Sequence, residues 1–335
     1  MRTDELDFDL PEELIAQTPA LERDGSRLLV LQRASGRIEH RTFSDLAGLL
    51  DPADLVVLNT SRVLHARVHA RKPSGGRVEL LLLEQREDSS WEALARPSRR
   101  IAPGLVVTAG ALAVAFERSL GDGRWIVRPS ASGDELHALL AEVGELPLPP
   151  YVHSREAPAD RYQTVYADRP GSAAAPTAGL HFTPELLDRI RERCEICEVE
   201  LRVGLGTFRP VVADDLAEHE MHSEAYRVAP AARTAIAAAV ASRRRIVCIG
   251  TTSLRVVETV ADPSRPSEGR TAILIAPGYA FRANIALVTN FHLPRSTLLA
   301  LVMAVCGVDE TRRLYREAIA ERYRFFSFGD ACLIE

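Results

Sequence analysis

Apolar residues along the chain follow two rhythms, and the change between them divides the sequence. Between residues 62 and 129, short β-type runs at 78–83, 105–107, 112–116 and 125–127 are broken by Gly75-Gly76, Asp88-Ser89-Ser90, Pro103-Gly104 and Gly121-Asp122-Gly123. That spacing suits a small barrel or sandwich. A helix is expected next, with Leu136, Leu139, Leu140 and Val143 on one face, Ser132 and Glu135 spaced as a capping box, and Gly144 at its end. The Pro147-Leu148-Pro149-Pro150-Tyr151 segment and the polar stretch 154–161 carry no periodicity and read as a domain joint.

Beyond the joint, helical and β-rich patterns alternate: a helix from Pro184, a strand over 198–203, an alanine-rich helix over 231–243 and a strand over 245–249. This is α/β texture. Residues 55–58 also read as a buried strand, so the N-terminal segment is expected to pair with the C-terminal half. The predicted fold is an α/β main domain formed discontinuously by 1–62 and 150–335, with a small all-β, barrel-like domain inserted at 63–149.

Composition narrows the class. The 335 residues are 46% hydrophobic and 26% charged, ordinary for a soluble globular protein, and a formal net charge of -5 argues against binding polyanions over the whole surface. Five cysteines, with no apolar segment behind a basic N-terminus, lead us to expect a reduced cytoplasmic setting without a disulfide framework. The longest apolar run, 298–306, is too short to span a membrane and reads as a buried helix.

Against that background several motifs carry chemistry. In Pro176-Thr177-Ala178-Gly179-Leu180-His181-Phe182-Thr183 a histidine sits in a small-residue turn just before a helix start, where Thr183 suits the N-cap and Pro184 the first helical position. The positive end of the helix dipole disfavours imidazolium, so His181 is predicted neutral near pH 7; it either caps a loop or exchanges a proton. Val203-Gly204-Leu205-Gly206-Thr207-Phe208 and Ile249-Gly250-Thr251-Thr252-Ser253 follow strands, where free amides and hydroxyls serve as plain caps or as a carboxylate or phosphate site. The dinucleotide fingerprint is left incomplete by Arg209. Glu218-His219-Glu220-Met221-His222-Ser223-Glu224 places its histidines three apart rather than the four of a zinc helix, so no metal is assigned. An acid/base pair of His222 with a carboxylate and a solvated polar turn are the two readings there. Cys194-x-x-Cys197 lacks a second pair and reads as inert.

Basic residues gather in the β-rich region. Arg67, Arg71, Lys72 and Arg77, with His65 and His69, occur from 65 to 77 without an acid, and Arg96, Arg99 and Arg100 follow. The patch is either a solvated face or a phosphate-backbone contact for folded RNA. Near the end, Tyr323-Arg324-Phe325-Phe326-Ser327-Phe328-Gly329-Asp330 concentrates aromatics, for which core packing is the default, beside the unusual Asp330.

Taken with Gln163-Thr164-Val165-Tyr166, Thr289-Asn290-Phe291-His292-Leu293-Pro294, Ser296-Thr297 and the N-terminal Phe8-Asp9-Leu10-Pro11 and Arg23-Asp24-x-Ser26-Arg27-Leu28, these motifs resemble the S-adenosylmethionine:tRNA ribosyltransferase-isomerase family. Order and spacing match along nearly the whole chain. The resemblance implies an enzyme of queuosine biosynthesis that moves the ribose of S-adenosylmethionine onto 7-aminomethyl-7-deazaguanine at the tRNA wobble position. It then isomerises the ribose to an epoxycyclopentanediol and releases adenine and methionine. S-adenosylmethionine would be a consumed substrate, with no metal or redox cofactor, in a cytoplasmic monomer without membrane contact.

On that reading the catalytic candidates are His181, His222, Glu224 and Asp330. Substrate-binding candidates are Thr177, Gly179, Phe182, Gly204, Gly206, Thr207, Phe208, Thr251, Thr252, Ser253, Asn290 and His292. Phe182 or Phe208 would face the sulfonium by cation–π attraction, Asn290 and His292 would orient base or ribose, and Arg62, Arg67, Arg71, Lys72 and Arg77 would contact tRNA. Four positions depart from the family pattern: Thr60 after Asn59, Arg202 where a histidine is usual, Ala276 in place of an aromatic, and Ile285 in place of an aspartate. The last is expected to remove a carboxylate from the site region. A paralogue acting on a non-tRNA acceptor and a non-catalytic tRNA-binding protein are the alternatives.

Overall fold

The run Leu55–Asn59 is buried along its whole length, as expected of a parallel strand covered on both faces. It lies within a nine-stranded sheet in the computed structural model, which describes residues 1–86, 88–149, 151–153, 159–204 and 211–335. From edge to edge the strands are Glu268–Thr271, Glu224–Val228, Glu195–Leu201, Leu55–Asn59, Arg245–Ile249, Asn284–Asn290, Ala331–Ile334, Arg27–Gln32 and Arg37–Thr42. The four from Glu195–Leu201 to Asn284–Asn290 are mutually parallel. Ala331–Ile334 runs against its neighbour Asn284–Asn290 and parallel to Arg27–Gln32. The carboxyl ends of the four parallel strands therefore share one edge with the amino ends of the last two.

Alternation along each strand feeds two apolar layers. Val57, Cys248 and Leu287 join one with helices Pro230–Ala241, Thr251–Val260, Thr297–Cys306 and Val308–Ala320. Val56, Leu58, Val247 and Ile249 join the other with helix Pro184–Arg191 and the 177–181 turn. Pro184–Arg191 starts as its sequence predicts: Thr183 Oγ1 accepts the Leu186 amide at 3.1 Å, and Leu186, Leu187 and Ile190 are buried. The apolar run at 298–306 is the buried helix Thr297–Cys306. Among the described residues no helix is long and apolar enough to cross a membrane.

The chain divides into two compact units, one of Met1–Ser61, Pro150–Arg169 and Ala175–Glu335, the other of Arg62–Pro149 and Pro170–Ala174. In the second, strands Arg67–Arg71, Arg77–Gln85, Trp91–Arg96, Arg124–Pro129, Leu112–Gly121 and Val106–Ala109 follow one another, and the last closes onto the first through Arg71 opposite Thr108. The result is a six-stranded antiparallel barrel filled by Val68, Leu80, Trp91, Phe116, Trp125 and Val127, with Leu136 and Leu140 of helix Gly133–Val143 in the same core. The capping box expected there does not form. Gly133 enters the helix with left-handed backbone (φ +55°), and the Ser132 side chain caps nothing.

Candidate functional site

The shared strand edge gathers polar side chains that the interior would otherwise exclude. His181 is buried there, its Nδ1 2.9 Å from Ser26 Oγ and its Nε2 3.1 Å from Asn290 Nδ2. That amide nitrogen also lies 3.1 Å from the Phe326 carbonyl, which can only accept, so it is the donor to Nε2. The ring proton then sits on Nδ1 and is donated to Ser26, whose hydroxyl reaches the Arg23 carbonyl at 3.4 Å. Burial, aided by the positive charges of Arg324 and Arg23, holds the His181 pKa down at about 3. The ring is neutral as the sequence predicts, but the principal cause is burial rather than a helix dipole. His292 is likewise buried and depressed to about 3; its Nε2 meets Thr289 Oγ1 at 2.9 Å and its amide donates to Tyr315 Oη at 3.0 Å. Asn290 and His292 thus orient protein groups rather than an open ligand site.

Close packing explains the small residues of the turn. A Cβ on Gly179 would stand 2.0 Å from Tyr166 Oη, so only glycine lets that phenol lie against the backbone. Thr177, half-buried, opens the turn. Ala178 faces Gly250, whose φ of +90° turns the chain from strand Arg245–Ile249 into helix Thr251–Val260. Ser253 Oγ donates back to the Ile249 carbonyl at 2.8 Å and is spent on the helix, while Thr252 Oγ1 is buried without a partner among the described residues. Thr251 is buried.

On the other face of the sheet, Glu224 opens its strand and is buried. Its Oε1 accepts the Gly204 amide at 2.8 Å, and its Oε2 pairs with Nη1 of Arg255, itself buried in helix Thr251–Val260. A cleft opens here, with His219, His222, Glu224 and Arg255 among its polar lining. His222 is exposed, and no hydrogen bond joins it to Glu224 among the described residues. The expected His222–Glu224 acid/base pair is therefore not formed: the carboxylate is committed to Arg255 and Gly204. Sequence reasoning missed Arg255, although an arginine flanked by Leu254, Val256 and Val257 in a helix after a strand-end loop is a usable signal. It also did not single out Ser26, which holds His181.

Other expectations need correction. Asp330 is buried and its two oxygens accept the amides of Arg27 (3.0 Å) and Arg324 (2.8 Å), so it fastens chain segments rather than meeting substrate. Phe182 is wholly buried between Phe43 (centroids 5.2 Å) and Tyr166 (5.9 Å) and has no face open to a sulfonium. Ile285 lies at the amino end of Asn284–Asn290, five residues and about 16 Å from Asn290, so its loss of a carboxylate does not touch this edge. Arg202 pairs with Glu200, and Thr60 bonds the Val199 carbonyl through its amide at 2.9 Å. Gly206, Thr207 and Phe208 lie outside the described residues. In the barrel unit Arg62, Arg71 and Arg77 are exposed, whereas Arg67 and Lys72 are half-buried.

These features define an α/β protein with an inserted six-stranded barrel and a polar cluster at the carboxyl edge of its parallel strands. The family described as queuosine biosynthesis protein matches residues 3–334. A protein of Symbiobacterium thermophilum named S-adenosylmethionine:tRNA ribosyltransferase-isomerase is 51% identical, with all of both chains covered, and one of the same name from Rubrobacter xylanophilus is 50% identical over all of this chain and 98% of its own. The crystal structure of S-adenosylmethionine tRNA ribosyltransferase from Thermotoga maritima aligns over 99% of this chain and all of its own, with a TM-score of 0.57 and 36% identity. The chain belongs to the queuosine biosynthesis protein family.

Proposed function

We propose that this enzyme transfers the ribosyl group of S-adenosylmethionine to 7-aminomethyl-7-deazaguanine at the wobble position of tRNA and isomerises it, giving epoxyqueuosine in tRNA with release of adenine and methionine. The observation that carries the reading is 51% identity over the full length of both chains, through the α/β and barrel units alike. The sulfonium acidifies the adjacent ribose carbon, so the reaction asks for a base there, an acid for departing adenine, and a seat for the attacking amine. His222, an exposed imidazole on the cleft, serves as proton carrier. His181 offers a neutral Nε2 lone pair once the Asn290 amide turns away, and the Thr251-Thr252-Ser253 turn presents amides to ligand oxygens, whereas the Gly204 amide is held by Glu224. Arg62, Arg67, Arg71, Lys72 and Arg77 bind the tRNA backbone. No metal or redox cofactor enters this scheme, and the enzyme works as a cytoplasmic monomer.

One incubation tests it: purified protein, S-adenosylmethionine and tRNA bearing the aminomethyl-deazaguanine, assayed for adenine and modified tRNA. Both products are expected. Adenine release indifferent to tRNA would instead assign a non-tRNA acceptor, and tRNA binding without turnover a binding scaffold. Unchanged turnover by folded His181→Ala would remove His181 from the chemistry.

A further inference from the structure

Among the described residues of the α/β unit, Arg255 is the cation with the most buried nitrogens lacking a partner. Its side chain is only 8% exposed, Nη1 is taken by Glu224, and Nε and Nη2 are buried with no hydrogen-bond partner among the described residues. Leaving two guanidinium N–H groups unpaired in the interior is costly, so the pair is expected to meet a ligand. Nε and Nη2 lie on the same side of the guanidinium and form its side-on fork, which matches the two oxygens of a carboxylate. Arg255 lines a cleft whose apolar wall is Met221, Ile273, Leu298 and Leu301, with His219, His222 and Thr297 also on its lining.

Charge decides between anions. Glu224 and Arg255 already sum to zero, so a phosphate would add net negative charge beside a buried carboxylate, which is unfavourable at low dielectric. A zwitterionic amino acid adds none: its carboxylate takes the fork, its ammonium restores neutrality, and its methylene chain lies on the apolar wall. We infer that this cleft seats the amino-acid moiety of S-adenosylmethionine, and of the methionine product, with the carboxylate held bidentately by Arg255. Glu224 is then a positioning residue: it locks the guanidinium from the far side and ties it to the Gly204 amide. The inference rests on the reading of S-adenosylmethionine as substrate.

The experiment compares binding of S-adenosylmethionine and its decarboxylated analogue, by calorimetry, to the wild-type full chain and to Arg255→Gln. The wild type is expected to prefer the carboxylate-bearing ligand by about 10- to 100-fold, the size of a charge-assisted bidentate contact. In the variant the ratio falls to near one, through loss of S-adenosylmethionine affinity alone. Should Arg255→Gln fail to fold because Glu224 is left unpaired, the double variant Glu224→Gln/Arg255→Gln removes both charges and must show the same collapse. Glu224→Gln alone is expected to raise KM for S-adenosylmethionine several-fold more than it lowers kcat. A preference retained by folded Arg255→Gln, or absent from wild type that still releases adenine, overturns the inference and leaves the proposed function standing. Wild type that neither binds S-adenosylmethionine nor releases adenine overturns both.

Discussion

The side-chain amide of Asn290 donates to Nε2 of His181 across 3.1 Å and so fixes the proton on the opposite ring nitrogen, toward Ser26. This places a neutral imidazole with one committed donor and one acceptor beneath the strand edge. Asn290→Ala leaves Nε2 buried and unpaired, a loss of about 1–3 kcal/mol. Chemical denaturation is expected to register that loss, and turnover is expected to fall at least about tenfold as the ring loses its orientation. Asn290→Asp presents an acceptor where a donor stood, so the ring must take a second proton or turn. Imidazole NMR of this variant is expected to show a His181 pKa well above the wild-type value of about 3.

The two buried histidines set an acid limit on stability. His181 and His292 have folded pKa values near 3, below the unfolded value of about 6.5, so between these limits the unfolded chain binds more protons. Stability then rises with pH in that window: the contribution is fully present above about 6.5 and is lost as pH falls toward 3, with a slope approaching about 1.4 kcal/mol per pH unit for each histidine. Urea midpoints from pH 7 to pH 4 measure it. Replacing His292 by Gln is expected to reduce the slope by about one proton; an unchanged slope would show that His292 is not buried neutral.

Much of this was legible in the chain because it depends on local pattern. The strand over 245–249 and the helix from Pro184 follow from apolar periodicity and a Thr-Pro start, and the barrel from short runs punctuated by turns. The hairpin strand Arg37–Thr42 was not, since an exposed edge strand of Arg, Glu and His carries no apolar alternation. The site divided in the same way. His181 stands out as a titratable group in a small-residue turn, but its partners lie 155 and 109 residues away, at Ser26 and Asn290, and only the sheet order joins them. Glu224 and Arg255, 31 residues apart, meet for the same reason, and spacing alone paired Glu224 with His222 instead.

Gly179 and Tyr166 make a separable packing test. A methyl at 179 would fall 2.0 Å from the phenolic oxygen and 2.8 Å from Thr164 Cγ2. Gly179→Ala is expected to cost about 1–3 kcal/mol by overpacking. The Tyr166 hydroxyl is itself buried without a partner among the described residues, so Tyr166→Phe is expected to be neutral or stabilising. The double variant should recover part of the Gly179→Ala loss, because the nearest obstacle is gone. Thermal melts of the three proteins decide it: strictly additive losses would mean that the two residues do not compete for the same space.

In the barrel, Arg71 and Arg77 stand directly opposite one another on adjacent strands, both exposed and neither with an acidic partner among the described residues. Like charges in that register repel, which makes the pair a poor stability device and a good seat for polyanion phosphates. Arg71→Ala and Arg77→Ala are therefore expected to leave folding stability unchanged or raised slightly. Each is also expected to weaken tRNA binding and to reduce the slope of log affinity against log salt by about one. Filter binding at several salt concentrations measures the slope, and S-adenosylmethionine affinity measured beside it should not move. A salt slope unaltered in the double variant would take these two arginines out of the tRNA contact and leave the patch as a solvated face.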